Sequence, residues 1–233
     1  MDARRLELAG IVAAADSLAE RVDDRFADRG ISRLAHEITV LCGETQERLA
    51  RTQRPYWALR ALIGLVLVAS AALLVVTASR VRLGGEIDEV GEWLAVVQSG
   101  IQDVVFVGIA VAFLVTIEGR LRRRKTLAAL HELRSVAHVI DMHQMTKDPD
   151  SAVHPERRTA HSPARNLDRF ALSRYLDYCS EMLSLTSKLA SLYAQESTDA
   201  TVLAAVREIQ ELAGALSNKI WQKIMILDVL DPV

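Results

Sequence analysis

The sequence is poor in several residue types on which particular protein classes depend. Only two of its 233 residues are cysteines, Cys42 and Cys179, which excludes a disulfide-stapled scaffold and a cysteine-rich zinc module. Glycine (11 residues) and proline (5 residues) are too scarce for a collagen-like or low-complexity chain. Aromatic residues make up 5% and the formal net charge is −2, so the composition favours no nucleic-acid surface.

The sequence does contain two long apolar runs without charged residues. Residues 61–79 read ALIGLVLVASAALLVVTAS and carry no charge between Arg60 and Arg80. A helix needs ~20 mostly apolar residues to cross a hydrocarbon core ~30 Å thick. A core helix of a soluble protein rarely lacks a polar face over such a length. This run therefore predicts a first transmembrane helix over residues 56–80.

A second apolar run is shorter. Residues 104–117 read VVFVGIAVAFLVTI between Asp103 and Glu118, a length that also fits the core helix of a soluble protein. Extended back to Trp93, the stretch still holds a single charged residue, Asp103. We therefore predict a second transmembrane helix over residues 93–118, in which Gly108 and Ala112 form a small-xxx-small pair that permits close helix packing.

The charges that flank the two runs predict the topology. Cytoplasmic loops carry an excess of lysine and arginine, and here basic residues precede the first run and follow the second, whereas the connecting segment is mainly acidic. We expect a multi-pass protein of the plasma (bacterial inner) membrane, with both termini cytoplasmic and residues 81–92 outside. The second basic cluster also offers charge to anionic headgroups, worth ~1 kcal/mol per residue. Its members are Arg120, Arg122, Arg123, Arg124 and Lys125.

Apolar residues outside the two runs recur every three or four positions, which is the spacing of one helix face. In the cytoplasmic segment 1–53 the pattern breaks at Arg29-Gly30, after which Ser32 is expected to cap a second helix. The second transmembrane helix continues into a basic cytoplasmic helix over residues 119–146. Because such a helix could approach ~90 Å in length, we expect a kink or break in it.

The last part of the chain predicts a separate helical element. Three prolines and mixed charges mark residues 147–165 as a solvated linker. Residues 166–230 carry two long apolar patterns joined by Glu196–Asp199, which predicts an antiparallel helical hairpin. Its apolar face is wide enough to need cover from the N-terminal helices or the helix after the second span. The predicted fold class is therefore all-α.

Few residues suggest chemistry. His131, His138 and Asp141 could share a face of the basic helix and are the candidate ligands for a metal such as zinc or iron, whereas His143 points elsewhere. Arg124 and His131 have an Arg-x6-His spacing that resembles HEPN-type ribonucleases, over two residues only. No HExxH pair, glycine-rich phosphate loop or GxSxG turn occurs. We therefore expect polar packing at these residues, with no enzyme and no cofactor.

Polar residues near the ends of the second span suggest another role: Gln98, Gln102, Asp103 and Glu118. In an oligomer, Asp103 and Glu118 could form acidic rings at the two mouths of a pore, with the apolar stretch between them as a constriction. Alternatively, both carboxylates mark the level of the lipid headgroups.

The sequence thus leaves three functions open. The leading one is a non-enzymatic, self-associating structural or regulatory membrane module, whose cytoplasmic helices bind a protein partner. The first alternative is an oligomeric ion-conducting pore, and the second is a membrane-tethered nuclease or metal-dependent enzyme. The expected partners are the lipid bilayer, further copies of the chain and a cytoplasmic protein, but not nucleic acid.

Overall fold

The computed structural model describes residues 6–53, 57–83, 90–149, 160–161 and 167–229. Within these ranges the chain forms six helices and no strand, which confirms the all-helical class for this part of the chain. The helices are α1 (Leu8–Phe26), α2 (Gly30–Gln53), α3 (Trp57–Leu83), α4 (Val90–Met145), α5 (Arg169–Gln195) and α6 (Ala200–Val229). Half of the predicted external segment 81–92 and most of the predicted linker 147–165 lie outside the described residues.

The chain divides into two compact units. One consists of residues 52–124 and contains α3 and the first part of α4. The other combines residues 1–51 with residues 125–233 and contains α1, α2, the last part of α4, α5 and α6. We call them the apolar pair and the five-helix unit. Helix α4 contributes residues to both units, and the last two residues of α2 belong to the apolar pair.

Helix α4 is unbroken from Val90 to Met145, where we expected an interruption. The physical reason lies in its composition. Proline is the residue that most strongly breaks a helix, and no proline occurs between Pro55 and Pro149. Fifty-six residues can therefore follow one another in a single helix.

The turn between α1 and α2 lies where the sequence predicts it, because α1 ends at Phe26 and α2 begins at Gly30. Asp28 in this turn has a φ of 59°, a left-handed conformation that the short polar side chain of aspartate tolerates better than most. The prediction that Ser32 caps α2 is wrong, since the helix begins two residues earlier. Instead, the Ser32 hydroxyl donates to Asp23 of α1 at 2.5 Å, and His36 lies 2.7 Å from the same carboxylate.

Five helices share the core of the five-helix unit, and α5 is the most deeply buried of them. Buried residues of α5 form two neighbouring rows, one including Tyr178 and Met182 and the other Leu176 and Leu183, so the helix is covered on more than one side. The apolar face of the hairpin formed by α5 and α6 packs against α1, α2 and α4, as the sequence predicts. Fully buried side chains from all five helices include Leu18, Ile31, Ile38, Leu130, Ile140, Leu176, Leu183, Ile209 and Ile220.

Polar contacts cap the ends of these helices and join neighbouring ones. Asp168 caps α5 by accepting the Ala171 N–H at 2.7 Å, and Asp199 caps α6 through the Thr201 N–H at 2.9 Å, as predicted for the link before α6. Ion pairs join neighbouring helices, but each partner is more than a third exposed, so each pair stabilises little. These pairs are Arg21–Glu181, Arg48–Glu132 and Arg134–Glu208.

Candidate functional site

The apolar pair exposes its hydrophobic side chains instead of burying them. The most apolar 18-residue window of α4, within Gly100–Met145, has a mean hydropathy of 2.2, and none of it is buried. Val104 and Phe113 are each 64% exposed. A contiguous apolar surface of this kind is unfavourable in water and favourable in lipid. Among the described side chains, α4 is the one helix long and apolar enough to cross a membrane, and α3 adds the shorter apolar stretch Trp57–Leu73.

Each helix of the apolar pair has one partly covered side. On both helices, half-buried positions recur every three or four residues, so they lie on one face. On α3 they include Leu59, Ile63, Val66 and Ser70. On α4 they include Gly100, Asp103, Val107, Ala110, Leu114 and Glu118. Each helix therefore has one side that is less exposed than the rest of its surface.

The opposite side of α4 is exposed and carries most of the uncharged polar residues of the span. Six residues on this side are separated by steps of four, three, four, three and four positions. We call them the outward stripe: Gln98, Gln102, Val105, Ile109, Ala112 and Thr116. Thr116 donates its hydroxyl to the Ala112 carbonyl at 2.7 Å, within its own helix. Gln98 and Gln102 make no hydrogen bond to the part of the chain that the structure describes.

The four predicted pore-mouth residues therefore divide between two faces. Gln98 and Gln102 lie on the outward stripe, whereas Asp103 and Glu118 lie on the half-buried side. Glu118 accepts a hydrogen bond from Arg122 at 2.7 Å, and its side chain is 17% exposed. This pairing neutralises the charge that an acidic ring would need.

The predicted packing pair Gly108 and Ala112 lies on an exposed side of α4. A Cβ atom added at Gly108 would have no neighbour within 4 Å. The small residues therefore leave open space along the helix, which another helix could enter. The basic residues that follow differ in exposure: Arg120, Arg124 and Lys125 are exposed, and Arg122 and Arg123 are half-buried.

The structure does not gather the predicted metal ligands. His131 and His138 are exposed on α4, whereas Asp141 is half-buried and accepts from Gln144 at 2.5 Å. Buried Gln144 in turn accepts twice from Lys223 of α6, at 2.8 and 2.6 Å, so Asp141 belongs to a contact between α4 and α6. Among the described residues, no group of three or more His, Cys, Asp or Glu side chains is arranged to hold a metal ion. Arg124 and His131, the two residues of the ribonuclease-like Arg-x6-His spacing, are both exposed on α4.

The two cysteines are poor nucleophiles. Both are buried and free, and burial raises the pKa of the Cys42 thiol to about 11 and that of Cys179 to about 12. Since the thiolate is the reactive form, neither sulfur is activated at neutral pH. These side chains fill the core of the five-helix unit.

His143 is half-buried where α2, α4 and α5 meet. No pattern in the sequence predicts this contact; His143 is only near His131 and His138, which are exposed. The ring of His143, near the end of α4, lies against the start of α2. A Cβ at Gly30 would lie 2.7 Å from its Cε1 atom. Its Nδ1 atom is 3.4 Å from the Tyr175 hydroxyl of α5. Burial lowers the pKa of His143, and the positive charges of Lys147 and Arg33 lower it further.

We expect this histidine to make the five-helix unit sensitive to acid. The pKa of His143 in the folded state lies below its usual value of about 6.5, so the unfolded chain binds the proton more readily. Its contribution to stability is complete above about pH 6.5 and decreases as the pH falls below that value. Thermal unfolding at about pH 7.5 and pH 5.5 should show a lower midpoint at the acidic pH.

The variant His143→Phe keeps a ring and removes the proton site, so the gap between the two midpoints should narrow. The control His138→Phe, at an exposed position of the same helix, should keep the gap of the native chain. An unchanged gap in His143→Phe would show that other groups cause the acid sensitivity.

A shallow groove lies between α5 and α6 on the five-helix unit. Its volume is about 320 Å³, and Trp221, which is 60% exposed, forms part of its wall. Burial raises the pKa of Asp177 in this groove, against the opposing effect of Arg174, whose guanidinium lies 2.8 Å away. The groove is lined by Arg174, Asp177, Ser180, Glu181, Ile220, Trp221 and Ile224.

Comparisons of this chain with protein-family models, with curated proteins and with solved structures found no match. Two features of the chain bear on its function: the apolar exterior of α3 and α4, and the packed core of the five-helix unit.

Proposed function

We propose that this chain is a two-span integral membrane protein that holds a helical interaction unit at the cytoplasmic face of the plasma membrane and associates with copies of itself. It acts as a structural or regulatory module and not as an enzyme. The observation that carries the proposal is the contrast within α4. The apolar window of this helix is not buried at all, whereas Leu130, Leu133 and Ile140 further along it are core residues.

Two further features support this function. Helix α3 extends over 27 residues, Trp57–Leu83, long enough to span a bilayer at 1.5 Å per residue. Arginines before α3 and the basic cluster from Arg120 to Lys125 favour a cytoplasmic location for both ends of the pair. The exposed Trp221 beside the groove of α5 and α6 offers a cytoplasmic protein an aromatic anchor of the kind that dominates interfaces.

Cysteine labelling tests the membrane topology. In a background lacking Cys42 and Cys179, single cysteines replace Glu89 and Ser162, and intact cells are treated with an impermeant thiol reagent. We expect Glu89→Cys to react and Ser162→Cys to react only after the cells are permeabilised. An alkaline carbonate wash should leave both variants in the membrane. Release by carbonate, or labelling of Ser162→Cys alone on intact cells, would contradict the proposal.

One observation favours the alternative of an oligomeric pore: the exposed amides of Gln98 and Gln102 could face water in an assembly. The pairing of Glu118 with Arg122 weighs against it. Conductance of the purified protein in planar bilayers separates the two functions, because a scaffold gives no current.

A further inference from the structure

We infer that α4 pairs in the membrane with α4 of a second copy of this chain, along the outward stripe from Gln98 to Thr116. This inference rests on the proposed function, since it requires α4 to span the bilayer. It names the partner and the surface through which the self-association occurs.

The stripe has the spacing of a helix–helix contact. Its steps alternate between four and three residues, which is the heptad pattern of two helices crossing at about +20°. From Gln98 to Thr116 it is 18 residues long, or ~27 Å, close to the ~30 Å thickness of a hydrocarbon core. Because the stripe lies opposite the half-buried side of α4, the contact does not compete with packing inside the chain.

The side chains on the stripe favour protein over lipid. An amide without a hydrogen-bond partner is unfavourable in hydrocarbon, and the described part of the chain offers none to Gln98 or Gln102. At the other end of the stripe, Ala112 and nearby Gly108 let a second backbone approach closely. Two further residues of the stripe, Val105 and Ile109, are apolar and 53% and 61% exposed.

A second copy fits this surface better than other occupants do. Copies inserted with the same topology bring their α4 helices together in parallel, so each stripe residue near a two-fold axis meets its own counterpart. A glutamine amide both donates and accepts, so two identical glutamines can satisfy each other. The middle of the stripe, Val105, Ile109 and Ala112, is apolar and favours a dry contact with another helix over an open, water-filled lumen.

Disulfide cross-linking of the full chain in native membranes tests the contact. In a background without Cys42 and Cys179, we expect oxidation to give dimers from Val105→Cys and Ile109→Cys. The matched control is Val104→Cys, which is 64% exposed but points at least 100° away from Val105 and Ile109 around the helix, and it should remain monomeric. Equal dimer yields at all three positions would contradict a specific contact.

A second measurement tests the amides. In vesicles, energy transfer between labelled copies should show dimerisation about threefold to thirtyfold weaker for Gln102→Leu than for the native chain. Thr116→Val should dimerise normally, because the Thr116 hydroxyl is bonded within its own helix. Native dimerisation of Gln102→Leu together with no cross-link at Val105 or Ile109 would overturn the inference. If carbonate still fails to extract that protein, the proposed membrane function stands. If carbonate releases it, the proposed function fails instead.

Discussion

Replacing Leu183 with aspartate should unfold the five-helix unit at neutral pH. Leu183 is fully buried on α5, the helix that the other four cover. The substitution removes apolar contacts that are worth about 2–5 kcal/mol for a buried leucine, and it also places a carboxylate where no water can solvate it. Single domains are stable by only about 5–15 kcal/mol, so most of the margin is lost.

Ser184→Asp is the matched control for this prediction. It adds the same charge one residue further along, at an exposed position where Lys188 already contacts the side chain. The carboxylate there can pair with Lys188 at the i,i+4 spacing that stabilises helices. Limited proteolysis of both variants should show rapid cleavage of α5 and α6 in Leu183→Asp alone. Native resistance of Leu183→Asp would mean that α5 is not a core helix.

Replacing Ile140 with alanine should lower the free energy of unfolding of the five-helix unit by about 2–5 kcal/mol. Ile140 is completely buried on the last part of α4, so the substitution leaves a cavity. Its neighbour Val139 is 40% exposed, and Val139→Ala should change stability by no more than about 0.5 kcal/mol. Chemical unfolding of both variants in detergent, followed by the fluorescence of Trp221 in a background that carries Trp57→Phe and Trp93→Phe, measures the difference.

Ile140→Ala should destabilise the five-helix unit without affecting the apolar pair. Since Ile140 belongs to the five-helix unit and not to the apolar pair, Ile140→Ala should still resist carbonate extraction. Loss of the variant from the membrane fraction would instead show that membrane retention depends on the packing of the last part of α4.

Helical periodicity predicted most of the fold because each element follows a local rule. The apolar pattern of α1, from Ile11 to Phe26, matches its buried face, and the link at Glu196–Asp199 caps α6 as its side chains predict. Ser32 was misassigned because its hydroxyl suits a helix cap equally well. The choice between a cap and the bond to Asp23 depends on where α1 lies, which no local pattern contains.

The candidate site was less predictable, because its properties depend on which side of α4 each residue occupies and not only on the residue type. The sequence places Gln102 and Asp103 side by side, but adjacent residues point about 100° apart on a helix, so one faces outward and the other is half-buried. The pairing of Glu118 with Arg122 follows an i,i+4 rule and could have been found from spacing alone. The junction of His143 with Gly30 and Tyr175 could not, since it joins residues from distant parts of the sequence.

The division of the five-helix unit into residues 1–51 and 125–233 has a consequence for biosynthesis. The contact between Arg21 and Glu181 joins residues that are 160 positions apart, with both apolar helices between them. At a synthesis rate of about 5–20 residues per second, α1 waits roughly 8–30 s for α5 to emerge from the ribosome. During that time the apolar faces of α1 and α2 have no partner from α5 or α6. Nascent chains stalled before residue 169 should therefore be the form that chaperones and proteases recognise most strongly.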